Sequence, residues 1–244
     1  MRTWLIALLS LLPALATAQP TMVMTYFDSY PPYSWKEKGQ MKGILVDIAT
    51  EALQNRMKLK VEHQGYPWAR AQLRVREHKA DAFVTVPTPV RQEYTLFSEE
   101  TVLPVTFSLL TNKENSRLKQ IEQIKTLPDL EPFRQVSYLG NGWAKLKLGK
   151  MDIIWGPTIE RVLQLMDKNR YDIFVEATHA INYYIKQSGY GANLLAIPVP
   201  FKPVKFHLCV GRGSPFTKIL PQFDETIRAM RADGALEKIY AKYR

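Results

Sequence analysis

Cysteine is nearly absent. Cys209 is the only one in 244 residues, so no intramolecular disulfide can form even in an oxidising compartment. Stability has to come from an apolar core. Beyond residue 18 no stretch approaches the roughly 20 apolar residues that cross a bilayer as a helix. The four histidines, His63, His78, His179 and His207, lack the spacing of a metal site, and neither a nucleophilic triad nor a phosphate loop is visible. We therefore expect no catalytic residue, no metal and no cofactor. Internal repeats and low-complexity tracts are missing too.

What is present starts with a leader. MRTWLIALLSLLPALATA carries one positive charge at Arg2, an apolar run from Trp4 to Ala16 broken by Pro13, and an Ala16-Thr17-Ala18 ending. This is the pattern of a secretory signal peptide, residues 1–18, cleaved before Gln19. No cysteine follows the run, so a soluble periplasmic protein without a lipid anchor is expected. The formal net charge of +10 is compatible with nucleic acid, an anionic surface or an anionic ligand. Export argues against nucleic acid. The Lys and Arg residues are scattered through mixed-sign segments, as on a solvated basic face.

Along the chain, residues 21–27 read as a strand, SYPPYSW as a turn-rich loop fixed by Pro31 and Pro32, and residues 43–56 as a helix, with Ile44, Leu45, Ile48, Ala49 and Leu53 near helical spacing. A strand over 58–64, a basic amphipathic helix over 68–78 and the buried strand ADAFVTV follow. This βαβαβ order predicts a mostly parallel sheet covered by helices. After the extended run LPVTFSLLTNK and the charged stretch ENSRLKQIEQIKTL, a second series appears: QVSYL, a helix start at 142–148, MDIIW, a helix over 158–168, and YDIFVE. A second extended run, LAIPVPFKPVKFHLCVG, precedes a helical C-terminal segment. Two connectors flanking one α/β unit predict a chain that enters a second lobe and returns to the first.

Open α/β sheets bind ligands beyond the carboxyl ends of their strands, and several chemically capable residues fall there. Arg91 follows Thr88-Pro89 where a strand turns into a helix. It can grip a carboxylate through two parallel hydrogen bonds, with Thr85, Thr88 and backbone N–H groups completing the site; the alternative is an exposed pair with Glu93 or Glu99. Tyr30, Tyr33, Trp35 and Trp68 can wall a pocket or pack beneath a loop. Arg70 can meet an anion or simply be solvated. Gly140-Asn141-Gly142 can present N–H groups to an anion or serve as a turn. Glu176, ending YDIFVE, can receive an ammonium group or act as a general base, or sit on the surface.

These motifs, in this order, resemble the periplasmic solute-binding proteins of family 3, which serve polar amino acid ABC transporters. The resemblance runs from about Thr21 to Arg244. It rests on YPPYSW with GILVDIATEAL, then YPWARA, ADAFVTVPTPVR, LFSEE, YDIFVEATHAINYYIKQ and MRADGALEKIYAKYR; the PWARA element is similar to a proteobacterial branch of the family. It implies a type II two-lobe fold, each lobe a mostly parallel sheet flanked by helices and the two joined by two hinge strands. Lobe one would hold residues 19–109 plus 206–244, and lobe two residues 110–205. It further implies Arg91 as carboxylate clamp, Thr88 as its helper, Tyr30 and Trp68 as aromatic walls, and Asn141-Gly142 as the anion-facing turn of lobe two.

Two positions depart from the family pattern. A site that is commonly small and polar holds Val86. The ammonium-binding Asp of lobe two is replaced by Ala177, with Glu176 one place earlier. Strand alternation turns that neighbour away from the cleft unless the strand ends there. The sequence therefore favours a carboxylate ligand over an α-amino acid as such. The expected protein is a monomer that closes on a small carboxylate-bearing solute for an ABC permease or a membrane sensor. A cyclohexadienyl-dehydratase-like enzyme on the same scaffold and a basic surface-adhesion protein are the competing expectations.

Overall fold

In the computed structural model, residues 20–139 and 141–243 are described; the expected leader and Gly140 lie outside them. β1 (Thr21–Phe27) buries Met22, Met24 and Tyr26 by strand alternation. A short antiparallel meander follows, β2 (Ser29–Tyr30), β3 (Ser34–Glu37) and β4 (Gln40–Lys42). The expected loop SYPPYSW is thus a hairpin. Pro31 and Pro32 occupy its turn, where no ladder donor is needed. Next come α1 (Ile44–Ala49), widened into a π-helical stretch over Thr50–Arg56, β5 (Lys60–Tyr66), α2 (Trp68–Arg76) and β6 (Ala82–Thr85). β1 pairs in parallel with both β5 and β6. The short α3 (Pro89–Gln92) and β7 (Thr95–Phe97) close this unit.

β8 (Leu103–Asn112) carries the chain out, and α4 (Leu118–Ile121), β9 (Gln135–Tyr138), α5 (Gly142–Leu148), β10 (Ile153–Gly156), α6 (Ile159–Asp167), β11 (Phe174–Ala177) and α7 (Thr178–Ser188) build the second lobe. β9 and β10 are parallel, and Gln135 bridges in parallel to Ile173 beside β11. The 18-residue β12 (Leu194–Gly211) returns. It pairs antiparallel with β8 over one part of its length and with β6 and β7 over the other. The result is a mixed α/β, two-lobe architecture in which the parallel βαβ units are linked by β8 and β12. α8 (Leu220–Ala232) and α9 (Ala235–Ala241) return to the first lobe, separated at Gly234, whose φ of 78° is the left-handed geometry that ends helices.

Separate cores support the lobes. One joins Met22, Met24, Ile44, Ile48, Leu53, Val84, Phe223 and Ile227. Others gather Phe107, Leu109 and Ile173, and Val136, Val162 and Phe174. Ala177 at the end of β11 and Ala180 of α7 belong to the first core, and Ile181 of α7 to another, so the start of this helix is wedged between lobes. Among the described residues no helix is long and apolar enough to cross a membrane.

The hairpin is tied down by α1. The Ile44 and Leu45 N–H groups, which have no partner within the helix, donate to the carbonyls of Pro32 and Tyr33 at 2.9 and 3.0 Å. Gly43 makes that approach possible: its φ is 123°, and a Cβ there would come within 2.5 Å of the Tyr33 carbonyl oxygen. Gly43→Ala should lower the unfolding free energy by about 1–3 kcal/mol, measured by urea denaturation. A loss below about 0.5 kcal/mol, the usual scatter of surface changes, would show that the hairpin is not held this way.

Candidate functional site

Three parallel strands, β1, β5 and β6, end on one edge of the first lobe at Phe27, Tyr66 and Thr85. Phe27 and Tyr66 are register partners, and Tyr30 stacks on Phe27 at 6.0 Å. Arg91 sits at this edge. Its Nε donates to Gln72 Oε1 at 2.9 Å, a terminal nitrogen donates to the Val86 carbonyl at 2.8 Å, and the guanidinium lies 5.3 Å from the centre of the Trp68 ring. Partial burial lowers its pKa from the ordinary value, partly countered by Tyr94 and Cys209. None of the ion pairs among the described residues involves Arg91, so neither Glu93 nor Glu99 occupies it. Its partners are neutral. A half-buried cation held by acceptors and an aromatic face still lacks its anion.

Around Arg91 the expected helpers take distinct places. Thr85 is buried, paired in register with His207 of β12. Thr88 begins α3 and donates its backbone N–H to Val86 O at 2.9 Å, without capping the helix through its side chain. Trp68 packs edge-on against Phe83 at 5.6 Å while Arg91 lies over its ring. Arg70 is exposed and stands over Tyr66. Gln72, one helical turn beyond Trp68, was not singled out from the sequence; its spacing of four from Trp68 on α2 was the available signal.

Glu176 lies on β11 of the second lobe, near Tyr30 and Tyr33 of the first-lobe hairpin. It is only 4% exposed, and it pairs in register with Ser108 of β8 as Ala177 does with Phe107, so the two neighbours take opposite faces of the strand. Its carboxylate accepts from the Ala177 N–H at 2.7 Å and from Asn141 Nδ2 at 3.1 Å, with the Tyr138 hydroxyl as a further donor. All three donors are neutral. Burial pushes its pKa up to about 7, opposed by the bonds from Ala177 and Tyr138. Tyr30, Tyr33, Tyr138 and Tyr184 all lie close enough to feel its charge. Two of these come from the lobe-one hairpin, one from β9 and one from α7.

Four corrections follow. Tyr33 is not a pocket wall: it is 0% exposed, 4.8 Å from Tyr30 and 6.0 Å from Phe206, and its hydroxyl is buried without a hydrogen-bond partner. Asn141 is not an outward-facing anion turn, because its amide holds Glu176 and its Oδ1 caps α5 by accepting from the Ala144 N–H at 2.8 Å. Gly142 is exposed, and a Cβ there would touch nothing within 4 Å, so no close approach demands glycine. Trp35 packs against Tyr183 and Tyr243 instead of joining the Glu176 cluster. Tyr138 and Tyr184 were missed; Tyr138 ends a strand three residues before Asn141, where the cleft edge falls. On β12, Phe206 meets Tyr33 and the adjacent His207 pairs with Thr85.

The family model of bacterial extracellular solute-binding proteins, family 3, matches residues 22–244. Among solved structures, an ancestral cationic amino acid solute-binding protein is 25% identical with a TM-score of 0.71, covering 91% of this chain and 95% of that one. A second structure of that ancestor, 24% identical, covers 91% and 94% with a TM-score of 0.67 and is described as a precursor of cyclohexadienyl dehydratase. The arginine-, lysine-, histidine-binding protein ArtJ from Geobacillus stearothermophilus is 18% identical over 92% of this chain and 95% of its own, with a TM-score of 0.66. A histidine kinase sensor domain is 21% identical, covering 91% and 95%, with a TM-score of 0.69. No curated protein matches the sequence.

The Glu176 environment has a measurable consequence. Its folded pKa, about 7, lies above its ordinary value of 4.5, so between those values the folded state binds more protons than the unfolded chain. Stability is present in full below the lower value and is lost as pH rises through the window, by about 3 kcal/mol in all. Urea denaturation at several pH values should show this fall in the wild type relative to Glu176→Gln. Parallel profiles for the two proteins would mean that Glu176 ionises normally.

Proposed function

The chain belongs to the bacterial extracellular solute-binding proteins, family 3, and from that premise we propose that it closes on a small carboxylate-bearing solute whose anion is held by Arg91. One observation carries this assignment: a half-buried guanidinium with two neutral hydrogen-bond acceptors, an aromatic face and no acid upon it. A ligand carboxylate supplies the missing charge. The opposite end of the solute meets Glu176, whose carboxylate is surrounded by tyrosines and has only neutral donors. An amino or guanidino group there would be received by both the carboxylate and the aromatic faces, which supports an amino acid or a related solute despite Ala177. The likeness to proteins described as binding cationic amino acids fits this polarity.

Residues 19–109 with 206–244 form the lobe that carries Arg91, and residues 110–205 the lobe that carries Glu176. Closure about β8 and β12 brings the two halves of the ligand site together, and ligand shifts the population towards that state. We place the protein in the periplasm as a monomer, exported by a leader of residues 1–18. It delivers its solute to an ABC permease or reports it to a membrane sensor, without turning it over. A second reading has one observation in its favour: a carboxyl with a pKa of about 7 suits general acid–base work. The dehydratase chemistry associated with the ancestral neighbour would use it, yet the donors bonded to it among the described residues are a backbone N–H, an amide and a tyrosine hydroxyl.

Calorimetric titration against amino acids, dicarboxylates, polyamines and prephenate should reveal a carboxylate ligand. Arg91→Ala should weaken it by about 2–5 kcal/mol, the cost of removing one member of a buried charge pair. Undiminished affinity in that variant would remove Arg91 from the site. Turnover of prephenate, abolished in Glu176→Gln, would replace the binding reading by the enzymatic one.

A further inference from the structure

Away from the cleft, the second lobe holds a cavity of about 290 Å³ lined by Leu127, Trp143, Phe201, Lys125, Lys147 and Lys202. Its floor is aromatic. Trp143 stacks on Phe107 at 4.1 Å and 26°, and lies nearly parallel to Phe201 at 6.5 Å and 16°. Its rim is cationic. The three lysines are exposed, none of them enters an ion pair among the described residues, and no acidic residue lines the cavity. Trp143, the partly buried member of this stack, offers ring surface to another flat ring, and the three exposed ammonium groups around it, which outnumber the nearby Asp129 carboxylate bonded to the Lys125 and Thr126 N–H groups, select for negative charge. The volume lies at the small end for ligand pockets, which excludes large occupants.

The cavity's position gives it a mechanical connection. β12 pairs with β8 as far as Val199 and resumes at Val204 with a shifted register. Between them, residues 200–203 loop away from the ladder, and Pro200 and Pro203 cannot donate to it. Pro200, Phe201 and Lys202 line the cavity, so its wall is the irregular part of a strand that joins the lobes. On the other side, Trp143 lies two residues beyond Asn141, which holds Glu176.

We propose that this cavity is a second ligand site, seated on the hinge, for small planar aromatic anions such as aromatic carboxylates. The ring slides against Trp143 and Phe201, and the acid group meets the lysine rim. An occupant there touches the crossing strand and the helix that follows Asn141, and so biases closure of the cleft from outside it. The proposal stands independently of the cleft ligand.

The test is calorimetric titration of the purified protein with 2-naphthoate, alongside sulfate, which has the charge alone, and 2-naphthalenemethanol, which has the ring alone. Naphthoate should bind in wild type and equally well in Arg91→Ala. Its affinity should fall at least about tenfold, the equivalent of about 1.4 kcal/mol, when Lys125, Lys147 and Lys202 are together changed to Glu; these exposed positions leave the core intact. Neither control should compete at equal concentration. The proposal is overturned by absence of naphthoate binding, by unchanged affinity in the triple variant, by equal competition from sulfate or from the alcohol, or by loss of binding in Arg91→Ala, which would put the aromatic acid in the cleft. Arg91→Ala also separates the two sites: it weakens the cleft ligand while sparing naphthoate.

Discussion

One strand belongs to both lobes, and the geometry around the cleft depends on it. β12 runs from Leu194 to Gly211, paired with β8 in its first part and with β6 and β7 in its last. Because hydrogen-bonded ladders resist sliding, the edge that carries Arg91 and the edge that carries Glu176 are held in fixed registers on either side of one interruption, at residues 200–203. The ladder is continuous on either side of that interruption, so each half of the site is built on hydrogen-bonded strand. Preorganisation of this kind lowers the ordering cost of binding.

The electrostatics of the cleft are asymmetric by construction. One lobe presents a cation whose partners are all neutral, and the other an acid whose donors are all neutral. Among the described residues neither group enters an ion pair. Each is an unsatisfied demand of opposite sign, partly or wholly removed from water, where an uncompensated charge is costly. Trp68 beside Arg91 and the tyrosines around Glu176 limit water access to each group and strengthen the field that its charge projects. Selectivity then arises from what the ligand must bring as much as from what the protein offers.

Much of the architecture was legible because strand and helix periodicities differ. The strand over 21–27, the buried strand ADAFVTV and the helical C-terminal segment were read from the sequence, and Met22, Met24, Tyr26, Ala82, Val84, Leu220, Phe223, Ile227 and Met230 within them lie in one core. The two extended connectors were visible for the same reason. Local pattern did not disclose long-range orientation. Tyr33 and Tyr30 differ by three residues in one motif, yet Tyr33 is sealed beneath the hairpin because Gly43 lets α1 draw its carbonyl in. Glu176 was ambiguous since alternation sets it opposite Ala177 on β11 but does not say which elements cover its face. Tyr138 and Tyr184 carry no motif of their own; they reach Glu176 only because β9 and α7 converge on it in space.

The solitary cysteine has a use that follows from its placement. Cys209 is 0% exposed on β12, facing the same side as Val75 and Phe83, and burial pushes its thiol up to about 12. In the native state it is neither accessible nor ionised, and the nucleophile towards thiol reagents is the thiolate. With no other sulfhydryl in the chain, any labelling of the intact protein counts events in which the strand beneath Arg91 comes free. The molecule thus carries an internal clock for the opening of its first lobe, and a cysteine introduced on its surface would be the single address at which a probe attaches.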